Sequence, residues 1–241
     1  MEKWGDQGIV LASRPHGEGA AVVTLLTARH GRHAGYVHGG ATSQRLRAAL
    51  QPGTRIDLDW HAQSMDQLGS FAVTDAAPPP PAAFDDPAGL CALQSVCAIL
   101  DRALPEREPH PALFAGTCAW LDALAQERAV WAAALVFWEL ALLRELGFGL
   151  DLTKCVVTNG RDDLAYVSPK SGGAVSRAGA GEYRDRLLRL PSFLHGAGDL
   201  PDNADIRDGL KLAGHFLEHR LFAHTTCALP DARLRLPEFF A

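Results

Sequence analysis

Six arginines (Arg14, Arg29, Arg32, Arg45, Arg47 and Arg55) and four histidines (His16, His30, His33 and His38) crowd one stretch near the start of the chain, and between Arg14 and Arg55 the acid among them is Glu18 alone. A guanidinium offers forked, permanently charged donors that match phosphate oxygens, so this composition is chemistry for an anion. The stretch carries +5 in a chain whose net charge is -5, which leaves about -10 for the remainder. A local field of this kind, more than total charge, concentrates a phosphate-bearing partner. The histidines add charge below about pH 6.5. The densest patch is Gly39 to Arg47, where glycines, Thr42, Ser43, Arg45 and Arg47 put several phosphate donors in what reads as one mobile loop. On charge alone, nucleic-acid binding and a solvated rim account for the stretch equally well.

Two other constellations invite a chemical reading. His215-Phe216-Leu217-Glu218-His219 fits H-x-x-E-H, the spacing at which two histidines one helical turn apart bind zinc beside a glutamate base. These histidines fall opposite the apolar stripe of Ile206, Leu210, Leu217 and Leu221, and no third ligand is evident, so a solvent-facing helix surface is expected and no catalytic or metal residue is assigned. The five cysteines, Cys91, Cys97, Cys118, Cys155 and Cys227, contain no C-x-x-C pair and mostly lie in apolar helical patterns, as reduced core thiols do.

The elements that must position these residues follow from pattern. A chain of 241 residues with 47% hydrophobic and 21% charged composition is globular, with one large domain or two modest ones, and it can hold its core by apolar burial without disulfides or metal. Met1 to Gly8 does not read as a secretory signal, and the apolar run Ala129 to Trp138 stops at Glu139 at about half the length of a membrane span. A cytoplasmic protein without a membrane partner is expected. Short strands are predicted over Gln7–Arg14, Ala20–Thr27, His33–His38 and Thr54–Trp60, with a fifth through Leu68, Phe71 and Val73. Five strands in about eighty residues fit a small barrel of the OB type, with an SH3-like barrel as the alternative. Trp60 and Phe71 belong to its core by alternation, which leaves Tyr36 and the histidines to stack on bases. Backbone binding with little sequence preference is the consequence.

Ala76-Ala77-Pro78-Pro79-Pro80-Pro81 cannot lie inside a helix or a central strand. Helices are predicted from Pro87 to Leu104, from Pro109 or Pro111 to Leu124, from Val130 to Leu146 as the buried central one, and from Asn203 to Phe222. Asn159-Gly160 between Cys155–Thr158 and Leu164–Val167 signals a hairpin. The fold class is therefore α+β: an OB-type β-barrel over residues 1–77, a proline-rich linker over 78–86, and a mostly α-helical domain over 87–241 with a small β-hairpin inserted at about 155–176.

The chain resembles the RecO family of bacterial recombination mediators and DNA repair proteins. The likeness lies in Gly8-Ile9-Val10-Leu11-Ala12-Ser13-Arg14-Pro15, Leu26-Thr27, Gly31-Arg32, Gly39-Gly40-Ala41, Ser43, Arg45-Leu46-Arg47 and Leu50-Gln51-Pro52. It resumes in Phe137-Trp138-Glu139-Leu140-Ala141-Leu142-Leu143, Leu146-Gly147-Phe148 and Cys155. The resemblance implies a DNA repair protein without cofactor or catalytic residues. It would bind single- and double-stranded DNA, anneal complementary strands, and work with RecR and single-stranded DNA-binding protein to load RecA. Arg14, Arg32, Arg45 and Arg47 match the family's basic positions, while Arg29, His33, His38 and Arg55 join the DNA-binding set from charge. Thr42 replaces a usual lysine or arginine, and Gly40 stands where charge is common, so a lower or more pH-dependent affinity is expected. Many members hold zinc with four cysteines in the insert. Here Cys155 is joined by Thr158, Ser176 and Gly179 at the remaining positions, and the insert should fold without metal. Basic Arg102, Arg107 or Arg144 beside apolar helix surface would receive an acidic, phenylalanine-ended tail. Arg233-Leu234-Arg235 with Phe239-Phe240 either packs back on the body or adds phosphate contacts. The alternative function is a protein-interaction scaffold with little DNA binding.

Overall fold

The computed structural model describes residues 1–196 and 200–241, the side chain of residue 224 apart. The chain divides into two compact units, Met1–Ala125 and Gln126–Ala241. In the first, alternation of apolar and polar residues at period two builds five strands: β1 (Glu2–His16), β2 (Ala20–Thr27), β3 (Gly31–Val37), β4 (Arg55–Ala62) and β5 (Ser70–Ala77). They pair in the order β1-β2-β3-β5-β4, and β4 returns antiparallel to β1 to close the barrel. β1 achieves this by its length: its first half pairs with β4 and its second with β2, with a register shift between Val10 and Ala12. The narrowest seam is β3 to β5, a parallel contact at Tyr36 and Ser70 beside a 3.0 Å bond from the Tyr36 N–H to the Gly69 carbonyl.

Val10, Val23, Leu25, Val37, Ile56, Leu58, Trp60 and Phe71 fill the interior. Leu50, just past the short helix α1 (Gln44–Ala49), joins that core, and Leu46 of α1 packs against it. Ile9 and Leu26, a cross-strand pair pointing the other way, are also buried, because α3 (Pro87–Ala103) lies against β1 and β2. α3 follows a one-turn helix, α2 (Ala82–Asp85), and starts where Asp86 accepts a bond from the Ala88 N–H with proline at its first position. α4 (Pro111–Ala123) completes the unit. The prolines are not a free tether. Pro79 is buried, and a Cβ built on Gly53 in the turn before β4 would lie 3.0 Å from its ring and 2.6 Å from Leu93. The unit thus runs past 78–86 to Ala125.

The second unit is built on α5 (Arg128–Glu145) and α7 (Asn203–Phe216), which pack together. α5 is buried at Trp131, Leu135, Val136, Trp138, Leu142 and Leu143, although Phe137 stays exposed on its outer side. The stripe Ile206, Leu210, Ala213, Leu217 and Leu221 is buried throughout, with a π-helical turn over Leu217–Leu221. The tail packs back: Arg233 of α8 (Asp231–Arg235) is 2% exposed, makes a two-pronged ion pair with the fully buried Glu139, and donates to the Leu210 carbonyl at 2.6 Å. Phe240 sits edge-on to Trp131.

The insert is a four-stranded sheet, where the sequence predicts a hairpin. β6 (Asp151–Cys155) pairs parallel with β8 (Gly173–Ser176), β8 pairs antiparallel with β7 (Leu164–Val167), and β9 (Leu188–Arg189) completes the order β6-β8-β7-β9. Asn159, at φ 57°, and Gly160 do not join adjacent strands. They fold back on Cys155, whose N–H donates to the Gly160 carbonyl at 2.7 Å and whose carbonyl accepts from the Asn159 N–H at 2.8 Å. That tight loop ends β6 and leaves its pairing edge to β8.

Candidate nucleic-acid interface

Strand register decides which cations share a surface. The cross-strand partners Arg14–Val22, Val22–Tyr36, Tyr36–Ser70, Ser70–His61 and His61–Lys3 form a helical rung around the barrel, which leaves β1 at Arg14 and returns to it eleven residues earlier, at Lys3. Paired residues point to the same side of a sheet, and the neighbours of this rung (Ala21, Val23, Val37, Trp60 and Phe71) point inward, so the rung faces solvent. Arg14, Lys3 and His61 are exposed, and the His16 ring lies 5.1 Å from the Tyr36 ring. His38 is exposed beside Ser70, with its Nε2 at 3.3 Å from the hydroxyl.

The turn that follows β3 belongs to the same end. The Ala41 N–H donates to the Gly19 carbonyl at 3.1 Å, and the N–H groups of Thr42 and Ser43 donate to the Gly39 carbonyl at 3.1 and 2.8 Å. This is a hydrogen-bonded turn, where the sequence suggests a mobile loop. Gly39 has φ +75°, and a Cβ on Gly40 would meet Ala21 at 2.9 Å and the Val37 carbonyl at 3.0 Å, so no charged side chain fits there. Ser43 caps α1 by accepting from the Leu46 N–H, which fixes the helix with Leu46 inward and Arg45 and Arg47 exposed. Arg14, Arg45 and Arg47 have no ion-pair partner among the described residues.

The other four members of the predicted set lie elsewhere. Gly31, Thr27, Gly8 and Ile56 form a second rung, five residues from Tyr36 and Val22 and six from Arg14, or roughly 17 to 20 Å along the strands, and on β1 it passes between Arg14 and Lys3. There Arg29 caps the turn between β2 and β3, bound to the buried Asp6 at 3.2 Å and to the Gly5 carbonyl, with 70% of its side chain exposed. Burial raises the affinity of the Asp6 carboxyl for its proton, but the bonds from His30 and from the Arg29 and Gln7 N–H groups outweigh it and hold its pKa below the usual value. Arg32 is spent on structure: it donates to the Leu104 carbonyl at 2.7 Å and reaches Asp101 at 3.7 Å and Glu106 at 3.5 Å. Arg55 pairs with Asp122 of α4 at 2.8 Å.

His33 cannot touch DNA. It is 2% exposed, enclosed by Trp4, Trp60 and Phe71 with ring centroids 5.3 to 5.9 Å away, and neither ring nitrogen has a hydrogen-bond partner. Burial, aided by the charges of Arg107 and His30, pushes its pKa down to about 4. The alternation that makes Trp60 a core residue applies equally to His33, and its polarity masked that signal. Lys3 faces His61 across β1 and β4, eleven residues along β1 from Arg14, and falls outside the group that Arg14 makes with His16 and Tyr36.

The insert brings Cys155, Thr158, Ser176 and Gly179 together. The thiol accepts from the Thr158 N–H at 3.4 Å, the Ser176 N–H at 3.2 Å and the Ser176 hydroxyl at 3.4 Å, and a Cβ on Gly179 would lie 3.0 Å from the sulfur. Burial pushes this thiol up, yet the bonds from Ser176 and Thr158 prevail and bring it to about 6. One sulfur, two hydroxyls and a glycine do not supply the four nitrogen or sulfur ligands of structural zinc. His215 and His219 stack at 4.3 Å, and no group of three or more histidine, cysteine or acidic residues suited to a metal occurs among the described residues. Nor is any helix among them long and apolar enough to cross a membrane. Of the three arginines expected beside apolar helix surface, Arg107 is held to the Met65 and Gln67 carbonyls, while Arg144 lines a groove of about 200 Å³ with Phe137, Leu140 and Leu152.

Comparison with known proteins adds independent weight. Residues 1–77 match the family description Recombination protein O N terminal, and residues 85–226 match Recombination protein O C terminal. A protein of Rhodospirillum centenum named DNA repair protein RecO is 50% identical over 237 residues, which are 97% of this chain and 92% of that one. Proteins of the same name from Rhodospirillum rubrum and Cereibacter sphaeroides are each 47% identical over 243 residues, covering 99% and 100% of this chain and 96% and 99% of theirs.

Proposed function

The chain belongs to the recombination protein O family, a family of DNA repair and recombination, and from that premise we propose that it is a non-enzymatic mediator that binds single- and double-stranded DNA and anneals complementary strands. The observation that carries this reading is the basic end of the barrel, where Arg14, Arg45 and Arg47 are exposed without an ion-pair partner among the described residues and the His16 ring lies 5.1 Å from the Tyr36 ring. Cations there neutralise phosphates and release their counterions, which lowers the repulsion between two strands so that bases can pair. The Tyr36 ring offers a stacking surface, which is tolerant of sequence because every base has a π-face. No covalent step is required, and neither a cofactor nor a catalytic group takes part. We assign the loading of RecA, with RecR and single-stranded DNA-binding protein as cytoplasmic partners, to the same chain by its family membership.

Fluorescence anisotropy of a labelled single-stranded oligonucleotide across a salt series tests the reading, together with the annealing rate of two complementary strands. Affinity that falls steeply with salt, and annealing faster than the uncatalysed rate, are expected. Absence of binding at low salt would refute it and favour a protein scaffold.

A further inference from the structure

The second unit has a net acidic surround with a basic insert. Residues 154–189 hold seven cations against four acids, whereas the rest of residues 126–241 holds seven against eleven. The insert's charge is sorted by geometry at the 3-10 helix Gly181–Arg186, which follows the four-residue helix α6 (Arg177–Ala180). With three residues per turn, side chains three apart eclipse one another. Glu182 and Asp185 therefore share one side, Tyr183 and Arg186 share a second, and Arg184 takes the third. An aromatic ring and a guanidinium stand in line, separated from the acids.

These groups are available. Tyr183 is 57% exposed, and Arg186 has no partner among the described residues. The Arg184 guanidinium carbon lies 6.0 Å over the ring of Tyr166, a buried residue of β7, at the outer reach of a cation–π contact, and its donors have no partner among the described residues. Arg177 and Arg189 flank the turn but are engaged, with Asp163 at 3.0 Å and Asp208 at 3.9 Å. An exposed tyrosine with an arginine one turn away fits a base and its phosphate, the unit of a single nucleic-acid strand.

We infer that the Gly181–Arg186 turn is a second single-strand contact, stacking a base on Tyr183 and holding phosphates with Arg184 and Arg186. The inference rests on the DNA reading of the barrel and deepens it: annealing needs two strands on one chain, and each unit would hold one.

The test is the number of short, non-complementary single-stranded oligonucleotides, of about 8 nucleotides, bound per chain at low salt, for the full-length protein and two variants. Wild type is expected to take two. Tyr183→Ala/Arg186→Ala and Arg45→Ala/Arg47→Ala should each take one and should each anneal at least about fivefold more slowly. All the altered side chains are solvent-exposed, and an unchanged thermal midpoint confirms folding. If Tyr183→Ala/Arg186→Ala still takes two strands, or wild type takes one that Arg45→Ala/Arg47→Ala removes, the inference is overturned and the barrel reading stands; a turn that serves an acidic protein segment instead would give this result. If wild type binds none, the barrel reading fails and the inference with it.

Discussion

Removing Arg45 and Arg47 should change DNA affinity in a way that removing Arg32 or Arg55 does not, although all four come from the same basic stretch. Arg45 and Arg47 are exposed on α1, while Arg32 and Arg55 are committed to Asp101, Glu106 and Asp122. Each phosphate neutralised on a single strand contributes about 0.7 to the slope of log affinity against log salt. Loss of two contacts therefore flattens that slope by about 1.4. The same arithmetic gives a loss of about 25-fold at 0.1 M salt, shrinking to about fivefold at 0.3 M. Arg45→Ala/Arg47→Ala should show this pattern in anisotropy titrations at several salt concentrations. Arg55→Ala should leave the slope as in wild type and cost at most about 1 kcal/mol of stability, because an ion pair this exposed is weak. Arg32→Ala should cost more, since its pocket also loses the bond to the Leu104 carbonyl. Equal slopes for Arg45→Ala/Arg47→Ala and wild type, or the same flattening from Arg32→Ala or Arg55→Ala, would refute the division of the barrel into a binding end and a structural end.

Three further outcomes follow from buried groups. His33 has a folded pKa of about 4 against about 6.5 when unfolded, so the unfolded chain binds the extra proton between these values and stability falls as pH drops through that window. Between pH 7 and 4.5 this amounts to about 2 kcal/mol, and urea titrations should find the dependence reduced by that amount in His33→Phe. Arg233→Met should destabilise the second unit by about 3 to 5 kcal/mol by leaving Glu139 buried and unpaired, and the double variant Glu139→Leu/Arg233→Met should recover most of it; a double variant as unstable as the single would refute the ion-pair account. Purified protein should contain no stoichiometric zinc and keep its melting temperature in a chelator, whereas Cys155→Ala should cost about 1 to 3 kcal/mol because it strands the donors of Thr158 and Ser176. One zinc per chain by elemental analysis would overturn this view of the insert.

The barrel was legible in the sequence because period-two alternation is local: Trp60 and Phe71 declare themselves core residues by their neighbours. The limits of α3, α4 and α5 are similarly marked by Pro87, Pro111 and Gly147. The insert misled for a related reason. Asn159-Gly160 is a local turn signal, and the turn exists, but which strands lie side by side is decided by β8, which arrives thirteen residues later and takes the edge of β6. Local signals fix where the chain bends and leave open what it meets afterwards.

The candidate site shows the same limit more sharply. Eight residues chosen by charge and resemblance are distributed by the barrel among four environments: Arg14, His38, Arg45 and Arg47 at one end, Arg29 over Asp6 at the other, Arg32 and Arg55 in ion pairs, and His33 in the core. Net charge along the chain cannot distinguish these, because the acids that neutralise Arg32 and Arg55 come from Asp101, Glu106 and Asp122, outside the basic stretch. The surplus of charge read from Arg14 to Arg55 thus overstates the field at any one point, and what concentrates it again is the fold, which leaves Arg14 near the end of β1 and Arg45 and Arg47 on α1 without an ion-pair partner among the described residues and uses the paired arginines to hold the barrel to its helices.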